Sequence, residues 1–435
     1  MVTVLALSIF ILTVALSLGR PRIGRFRVQP SSAAVFGALL VVVVGILPFS
    51  TMVATLSFIA HPILTIASLM VITIIADRSG IFRTLAWNLA KSAGGSGRRL
   101  FTYLFFSGTF VGTLFTNDAA VLIFTPLVYQ LVEEIKDDSW TIKNKIPYYF
   151  AVLYVANLVG GLVISNPINI MVSSWFSIGF LEYASWMMLP AIVSMLATYA
   201  VLLFIFRNAI PVRYQIPVRS LGLRVKPQFV IISAVVLGLT LIGFFTEQLT
   251  GIPTSYVASA GAVMLLILNS IYTDDSPVVV VREVGWDAIL FVIGIFLVTN
   301  GLRETGLTGV LGTLILGVVD QSVSLGTYVT GIVAAGASAL MNNHPTAWIM
   351  ALTLEDLPLG DITTRTMAFA ALIGGDLGPK MLPIGSLAAL MWFRILRARS
   401  VEISYWQYIK LGVPVTLIAL LLSLLMLNLE YAIGV

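Results

Sequence analysis

The sequence predicts an all-helical protein that crosses a membrane many times. Of its 435 residues, 58% are hydrophobic and only 10% are charged, and the mean hydropathy is +1.00. A water-soluble protein of this length carries many more polar residues on its surface. The apolar runs are about 17–25 residues long, which is the length that a helix needs to cross hydrocarbon, and they lack the alternation of barrel strands. We therefore predict a polytopic helical membrane protein.

The composition also excludes several classes of function. The chain has no cysteine, so it forms no disulfide, has no thiolate metal site and does no redox chemistry through sulfur. It lacks the Gly-x-x-x-x-Gly-Lys-Ser/Thr motif, so it does not hydrolyse ATP by way of a P-loop. The net charge of +5 comes mostly from loops and does not indicate nucleic-acid binding.

The first predicted span, residues 2–18, precedes a cluster of four arginines. It lacks the basic segment and the small-x-small cleavage site of a signal peptide, so we expect a mature helix. The cluster consists of Arg20, Arg22, Arg25 and Arg27. Such a cluster in a short loop marks the cytoplasmic side and places the N-terminus outside. Two spans and a short interfacial helix follow at residues 33–47, 55–76 and 81–91.

The apolar run at residues 100–132 is interrupted by Thr116-Asn117-Asp118. Basic residues flank both ends of the run, so we predict a re-entrant hairpin whose tip stops near the membrane midplane. The next segment, residues 147–176, contains polar residues, a glycine pair and a proline, which predict a discontinuous transmembrane helix. These interruptions are Asn157, Gly160-Gly161 and Ser165-Asn166-Pro167. A span at residues 186–206 completes this half.

The second half predicts the same order of elements. Three spans, at residues 228–246, 256–272 and 286–301, precede a second re-entrant hairpin at residues 323–354. The tip of this hairpin is Met341-Asn342-Asn343-His344-Pro345-Thr346. A second discontinuous helix, residues 367–395, is broken at Gly374-Gly375-Asp376-Leu377-Gly378-Pro379-Lys380. The last span, residues 411–429, leaves the C-terminus outside.

The two halves form an internal repeat with a constant offset. Asn343 and Asn117 are 226 positions apart, and so are Gly306 and Gly80. We therefore predict an N-terminal repeat at residues 1–210, a cytoplasmic linker at 211–227 and an inverted C-terminal repeat at 228–435, with ten spans in all. In such transporters the binding site lies near the midplane, where hairpin tips and helix breaks offer unpaired amides and carbonyls.

Three charged residues are candidates for the transport site. Asp118 lies deep in an apolar unit, where a charge costs at least about 2.5–3.5 kcal/mol unless it is paired or hydrated. Its alternative role is to cap the helix that follows. Asp376 and Lys380 flank a Gly378-Pro379 break. Either they pair across the break and hold it, or they act on substrate and protons.

Uncharged polar residues at the tips and breaks are further candidates. As a set they suit a small ligand rich in hydroxyls or a hydrated cation, although each also suits a role in satisfying freed backbone groups. The set consists of Asn117, Asn157, Ser165, Asn166, Asn169, Asn342, Asn343 and Ser386. His344, at the second tip, either titrates near neutral pH or is a neutral hydrogen-bonded histidine. The predicted substrate-binding residues are Asn117, Asp118, Asn157, Ser165, Asn166, Asn343, His344, Asp376 and Ser386.

Three segments of the chain resemble the ArsB arsenite and antimonite efflux permeases of the ion transporter superfamily. They are Phe115-Thr116-Asn117-Asp118-Ala119-Ala120, Met341-Asn342-Asn343-His344-Pro345-Thr346, and Gly375-Asp376-Leu377-Gly378-Pro379-Lys380 with its continuation Leu382-Pro383-Ile384-Gly385-Ser386-Leu387-Ala388. The resemblance covers nearly the whole chain, and the Asp-Leu-Gly-Pro-Lys segment is its most specific part. The family pattern has an apolar residue at His344 and often a cysteine at Gly375.

The resemblance implies a secondary transporter of the inner membrane that exports trivalent arsenite and antimonite in exchange for protons by alternating access. It implies substrate or proton roles for Asn117, Asp118, Asn343, Asp376 and Lys380, with coupling by the three charged residues. It also implies an optional partnership with a cytoplasmic arsenical-pump ATPase and no enzymatic activity or cofactor. Arsenite in neutral water is an uncharged trihydroxide, so a chain without cysteine must bind it through oxygen and nitrogen groups.

Other functions remain as alternatives. One is a sodium/proton antiporter or an anion carrier of the same superfamily, although two aspartates beside one lysine disfavour a dicarboxylate. A passive channel is disfavoured by the broken helices and the inverted repeat. A membrane enzyme is disfavoured because the sequence offers no nucleophile-base pair and no metal cluster.

Overall fold

The protein is described here as a computed structural model that covers residues 2–135, 140–155, 158–215, 226–273 and 275–434. The all-helical prediction is confirmed. In this part of the chain the only strands, β1 (Arg22–Ile23) and β2 (Phe26–Arg27), form a two-residue antiparallel ladder that turns the chain after the first helix. Everything else that is regular is helical, because the long apolar runs satisfy their backbone groups internally.

The N-terminal half contains nine α-helices and one 3₁₀-helix among its described residues. They are α1 (Val2–Gly19), α2 (Pro30–Val43), α3 (Phe49–Ser79), α4 (Ile81–Ser92), α5 (Gly97–Leu114), α6 (Asn117–Glu133), α7 (Ile142–Val155), the 3₁₀-helix Val163–Ser165, α8 (Pro167–Trp175) and α9 (Phe180–Phe206). α5 and α6 are the two arms of the predicted first hairpin, and α7 and α8 are the two parts of the predicted first broken helix.

The C-terminal half includes the second predicted hairpin and the second predicted broken helix. It contains α10 (Pro227–Phe245), α11 (Glu247–Thr250), α12 (Thr254–Tyr272), α13 (Pro277–Glu283), α14 (Trp286–Glu304), α15 (Leu307–Val319), α16 (Val323–Met341), α17 (Asn343–Glu355), α18 (Asp361–Leu377), the 3₁₀-helices Gly378–Lys380 and Pro383–Gly385, α19 (Leu387–Arg397) and α20 (Tyr405–Ile433). Within the described ranges, eight helices are long and apolar enough to cross a membrane. One of them is α16, an arm of the predicted second hairpin, so the count of ten spans and the re-entrant geometry stay predictions.

The internal repeat has a visible backbone signature. Gly80 ends α3 with a φ of 85°, and Gly306, which lies 226 positions later, precedes α15 with a φ of 75°. Only glycine adopts this left-handed conformation without a steric cost, so both halves need glycine where the chain turns from a long helix into a shorter one.

The two halves of the sequence pack into each other. α2 lies against α14 of the other half, α12 lies against α3, and α20 lies against α9. The contact between α2 and α14 is so close that a Cβ on Gly294 would lie 2.5 Å from the backbone carbonyl carbon of Ala34. The core is therefore shared between the repeats.

The second broken helix lies directly on the backbone of α16. A Cβ on Gly374 would lie 2.1 Å from the carbonyl oxygen of Gly331, and a Cβ on Gly378 would lie 2.2 Å from that of Ala335. The hydroxyl of Ser338 in α16 donates to the carbonyl of Gly375 at 2.9 Å. This packing holds the break in place from one side and leaves its other side to face the first break.

Candidate functional site

The site begins with two helix breaks that local sequence explains. α8 starts at Pro167, and Asn166 caps it by accepting the amide of Ile168 at 3.3 Å. α18 stops at Leu377, and Pro379 and Pro383 lie in the two 3₁₀-helices that follow. Proline has no backbone N–H to continue an α-helical ladder, so each segment stays unwound over several residues.

The two breaks meet at the carboxylate of Asp376. The backbone N–H of Gly160 donates to its Oδ2 at 2.9 Å, and the Nδ2 of Asn166 donates to its Oδ1 at 2.6 Å. The Nδ2 of Asn169 donates to Oδ2 at 3.4 Å. Asp376 is only 1% exposed, so its charge depends on these donors for stabilisation. Asn166 serves twice, since its oxygen caps α8 and its nitrogen binds Asp376.

Further polar groups close the cage around this carboxylate. The amide of Asn169 also reaches the hydroxyl of Ser165 at 3.5 Å, and Ser165 donates to the carbonyl of Leu162 at 2.7 Å. The hydroxyl of Tyr183 in α9 donates to the carbonyl of Gly160 at 2.9 Å. The cage therefore draws on both repeats.

Lys380 lies in the same break, but its ammonium lies near the ring of Tyr154. It is 1% exposed, and its Nζ lies 5.6 Å from the ring centroid of Tyr154. Neither this ammonium nor the Tyr154 hydroxyl has a hydrogen-bond partner among the described residues. A buried donor without an acceptor is costly unless a bound molecule supplies one.

Of the two roles considered for Lys380 and Asp376, pairing across the break is not seen as a direct ion pair, and a role toward substrate and protons stays a prediction. Within the described ranges no ion pair joins the two side chains, although they are four positions apart. The reason is that the 3₁₀ turn at Gly378–Lys380 changes the direction of the chain, while the donors of the first break hold Asp376 in place.

The tip of the second hairpin is fastened to the second break. Asn342, with a φ of 79°, caps α17 by accepting the amide of His344 at 3.2 Å. Its Nδ2 donates to the carbonyl of Gly385 at 3.0 Å. Asn343, the first residue of α17, is half-buried beside it.

His344 is buried, and it lines a narrow cavity with Pro167, Ile168 and Trp348. Its Nδ1 lacks a partner in the part of the chain that the structure describes. The second tip therefore lies next to both breaks, since it binds Gly385 and shares this cavity with the start of α8.

The structure is less informative about the first tip. Thr116 caps α6 by accepting the amide of Ala119 at 3.3 Å, so the capping role considered for Asn117 and Asp118 belongs to Thr116. Asn117 and Asp118 begin α6, but their side chains lie outside the described set, and Asn157 lies outside the described residues altogether. Their site roles stay predictions.

Ser386 is buried and caps α19 by accepting the amide of Ala389 at 3.0 Å. This contact is structural, and it leaves a substrate role for Ser386 as a prediction. Sequence reasoning missed the tyrosines Tyr154, Tyr183 and Tyr408, the last of which donates to the carbonyl of Pro379 at 3.1 Å. Their only signal was a hydroxyl in an apolar run, which is common in membrane helices.

Two cavities lie beside α3, one at its C-terminal end and one at its middle. One, of about 410 Å³, is lined by Thr73, Asp77 and Gln130 together with Thr116 at the first tip. The other, of about 500 Å³, includes His61, Ile164 and Ser173. Because Ile164 directly precedes Ser165, the second cavity lies beside the first break.

The chemistry of the site is that of a small polar ligand or a proton. It presents a carboxylate, amides, hydroxyls and an unpaired ammonium in a buried setting. Among the described residues no group of three or more histidine, aspartate or glutamate side chains could hold a metal ion. The groups suit hydrogen bonding of a compact hydroxylated molecule far better than the burial of an apolar one.

Comparison with known proteins gives a consistent result. A family model described as "ArsB: Arsenical pump membrane protein" matches residues 5–431. An arsenical pump membrane protein of Escherichia coli is 32% identical over 429 residues, which cover 98% of each chain. One from Yersinia enterocolitica is 31% identical over 432 residues, with 99% of each chain covered.

Solved structures of lower identity share the fold. The YdaH transporter of Alcanivorax borkumensis superposes with a TM-score of 0.63 at 14% identity, covering 100% of this chain and 98% of that one. MtrF of Neisseria gonorrhoeae, described among antimetabolite efflux pumps, gives a TM-score of 0.57 at 12% identity, covering 98% and 94%. At these identities the likeness concerns architecture alone.

Proposed function

This chain belongs to the ArsB family of arsenical pump membrane proteins, and on that premise we propose that it exports trivalent arsenite and antimonite from the cytoplasm in exchange for protons. The family resemblance inferred from the three sequence segments is thereby confirmed. The chain is an arsenical efflux transporter of the membrane and not an enzyme. Its metalloid preference, its proton coupling and its access cycle are the parts that we propose.

The observation that carries the proposal is the cage around Asp376 with Lys380 unpaired beside it. Three donors from the first repeat hold a carboxylate of the second repeat, and a buried ammonium in the same break has no acceptor among the described residues. Such a site is incomplete without a ligand, because every buried donor needs a partner.

The substrate supplies what this site lacks. Arsenite carries three hydroxyl groups and no charge, so its oxygens can accept from Lys380 and its hydroxyls can donate to Asp376 or Ser165. A thiolate complex is impossible because the chain has no cysteine. Antimonite has the same hydroxylated form and fits the same donors and acceptors. We assign contact roles to Asp376, Lys380, Ser165, Asn166 and Asn169.

Coupling to protons follows from the charge of the substrate. An uncharged molecule gains nothing from the membrane potential, so uphill export needs a coupled ion. Asp376 and Lys380 are the buried groups of the site that can gain or lose a proton, and Asp118 at the first tip is the predicted third. Proton uptake by the carboxylate of Asp376 changes which hydrogen bonds it can accept from Asn166 and Asn169. Protonation is thereby coupled to the packing of the two breaks.

Alternating access is proposed around this site. The cavity at the C-terminal end of α3 and the one at its middle, beside the first break, are the proposed routes to the site, and the two interlocked halves are the units that rock or slide against each other. The basic loops indicate an inner-membrane protein with both termini outside. Partnership with a cytoplasmic arsenical-pump ATPase stays an optional addition to this scheme.

The test is arsenite accumulation in inverted membrane vesicles with and without a proton gradient. We compare the wild-type chain with Asp376→Asn and with Asp361→Asn, an exposed aspartate at the start of the same helix. Gradient-driven accumulation that persists in the Asp361 variant and is lost in the Asp376 variant supports the proposal. Full accumulation in the Asp376 variant contradicts the coupling role, and no accumulation in the wild type points instead to a cation/proton antiporter or anion carrier.

A further inference from the structure

A second charged cavity lies away from the transport site, where α1 ends. Its volume is about 680 Å³, and four arginines line it together with Tyr405 at the start of α20. These arginines come from two separate parts of the chain, namely Arg20 and Arg27 around the β1–β2 hairpin and Arg394 and Arg397 in α19. Folding therefore brings four positive charges to one place.

No ion pair between described residues neutralises the positive charge of this cavity. Six ion pairs connect described residues, and none of them includes any of the four arginines. The Nε of Arg20 is buried and has no hydrogen-bond partner within the described ranges. Burial and then the charges of Arg27 and Arg394 lower the pKa of Arg20. The cavity therefore gathers positive charge that no ion pair between described residues offsets.

One arginine is held in position by aromatic rings. The guanidinium carbon of Arg397 lies 5.3 Å from the ring centroid of Tyr405 and 5.7 Å from that of Phe393. Stacking of this kind restrains a long side chain and leaves its N–H groups directed away from the rings. A restrained fork of donors is the geometry that binds a phosphate through two parallel hydrogen bonds.

The rest of the lining is apolar. Leu18, Leu390 and Ile409 contribute to the wall, and Ile384 is 48% exposed beside them. α1 is a helix long and apolar enough to cross the membrane, and the cavity sits at its end. A cavity at the surface of a bilayer with a cationic centre and an apolar wall matches a molecule that has an anionic head and hydrocarbon chains.

We propose that this cavity binds the phosphate head group of an anionic phospholipid, with the acyl chains against Ile384 and the neighbouring apolar residues. Arsenite is uncharged and is not the ligand of this cavity. The lipid touches Leu382, Pro383 and Ile384, which follow Lys380 in the second break. Lipid binding at this cavity therefore stabilises the unwound segment that carries Lys380 of the transport site.

The experiment measures lipid affinity with charge-matched variants. The purified full-length chain in a non-ionic detergent is titrated with phosphatidylglycerol, with phosphatidylcholine and with inorganic phosphate, and binding is followed by native mass spectrometry. The cavity variant is Arg27→Gln/Arg394→Gln. The control variant is Arg22→Gln/Arg25→Gln, which removes the same charge from exposed residues of the same hairpin outside the cavity. Circular dichroism melts show that both variants are folded.

The wild-type chain is expected to prefer phosphatidylglycerol over phosphatidylcholine by at least about tenfold. The cavity variant should lose about 25-fold in phosphatidylglycerol affinity, since each arginine at a lipid surface contributes about fivefold. The control variant should lose less than about threefold.

Equal losses in the two variants, or no preference for the anionic lipid, overturn the proposal. Tight phosphate binding that phosphatidylglycerol does not displace also overturns it, because the ligand is then a free anion.

Discussion

Gly160→Ala is the substitution that tests the cage most directly. A Cβ at this position would lie 2.2 Å from the Oγ of Ser165 and 2.3 Å from the Nδ2 of Asn169. Ordinary contacts begin near 3.4 Å, so the Oγ must move by about 1.2 Å and the Nδ2 by about 1.1 Å, and both are ends of side chains that can rotate. The added methyl group is therefore accommodated by movement of these two side chains, which disrupts the cage around Asp376.

This movement is expected to reduce transport more than stability. Rotation of Asn169 breaks its hydrogen bonds to Asp376 and Ser165, and hydrogen bonds to charged groups contribute about 1.5–3 kcal/mol. A loss of about 1.4 kcal/mol is a tenfold loss in affinity. We therefore expect arsenite transport in inverted vesicles to fall at least tenfold, while the thermal unfolding temperature of the purified variant changes by only a few degrees.

Gly238→Ala provides the matched control, because nothing lies within 4 Å of the corresponding Cβ in α10. Alanine is the better helix former by about 1 kcal/mol, so this variant should transport normally and unfold slightly later. Wild-type transport in Gly160→Ala at equal expression would refute the assignment of the cage to substrate binding.

Three further predictions concern neighbouring residues. Lys380→Met should abolish gradient-driven arsenite accumulation without lowering the unfolding temperature. The substitution replaces a buried ammonium that has no partner among the described residues with an apolar side chain of similar length. A variant that fails to fold would contradict this prediction. Gly378→Ala should lower the free energy of unfolding by more than about 3 kcal/mol, measured by denaturant unfolding, since the added Cβ would lie 2.2 Å from the backbone of Ala335. Gly317→Ala is the control and should not destabilise the fold, because nothing lies within 4 Å of its Cβ. Ser386→Ala should lower the free energy of unfolding by about 0.5–2 kcal/mol in the same assay, because the helix cap is lost, and Ser386→Asp should restore most of that stability. Equal stability of the wild type and both variants would contradict the capping role.

Local sequence determined the outline of this protein. Apolar runs of membrane-spanning length predict helices, and proline or glycine within such a run predicts where a helix stops, because these effects act within a turn of the chain. For this reason the breaks near Ser165 and Asp376 and the tip near Asn343 could be placed before the structure. Gly80 and Gly306, related by the repeat offset, both have a positive φ, and Asp376 is buried.

The tertiary structure decided which groups meet. Asp376 is separated from Gly160, Asn166 and Asn169 by more than 200 positions, and their hydrogen bonds depend on how the two interlocked repeats pack. The sequence left open whether Asp376 and Lys380 pair directly, whereas in the structure the carboxylate binds donors of the first break and no direct ion pair joins the two among the described residues. Tyr183 and the four-arginine cavity were invisible for the same reason: contacts across distant helices are set by packing, which no local pattern encodes.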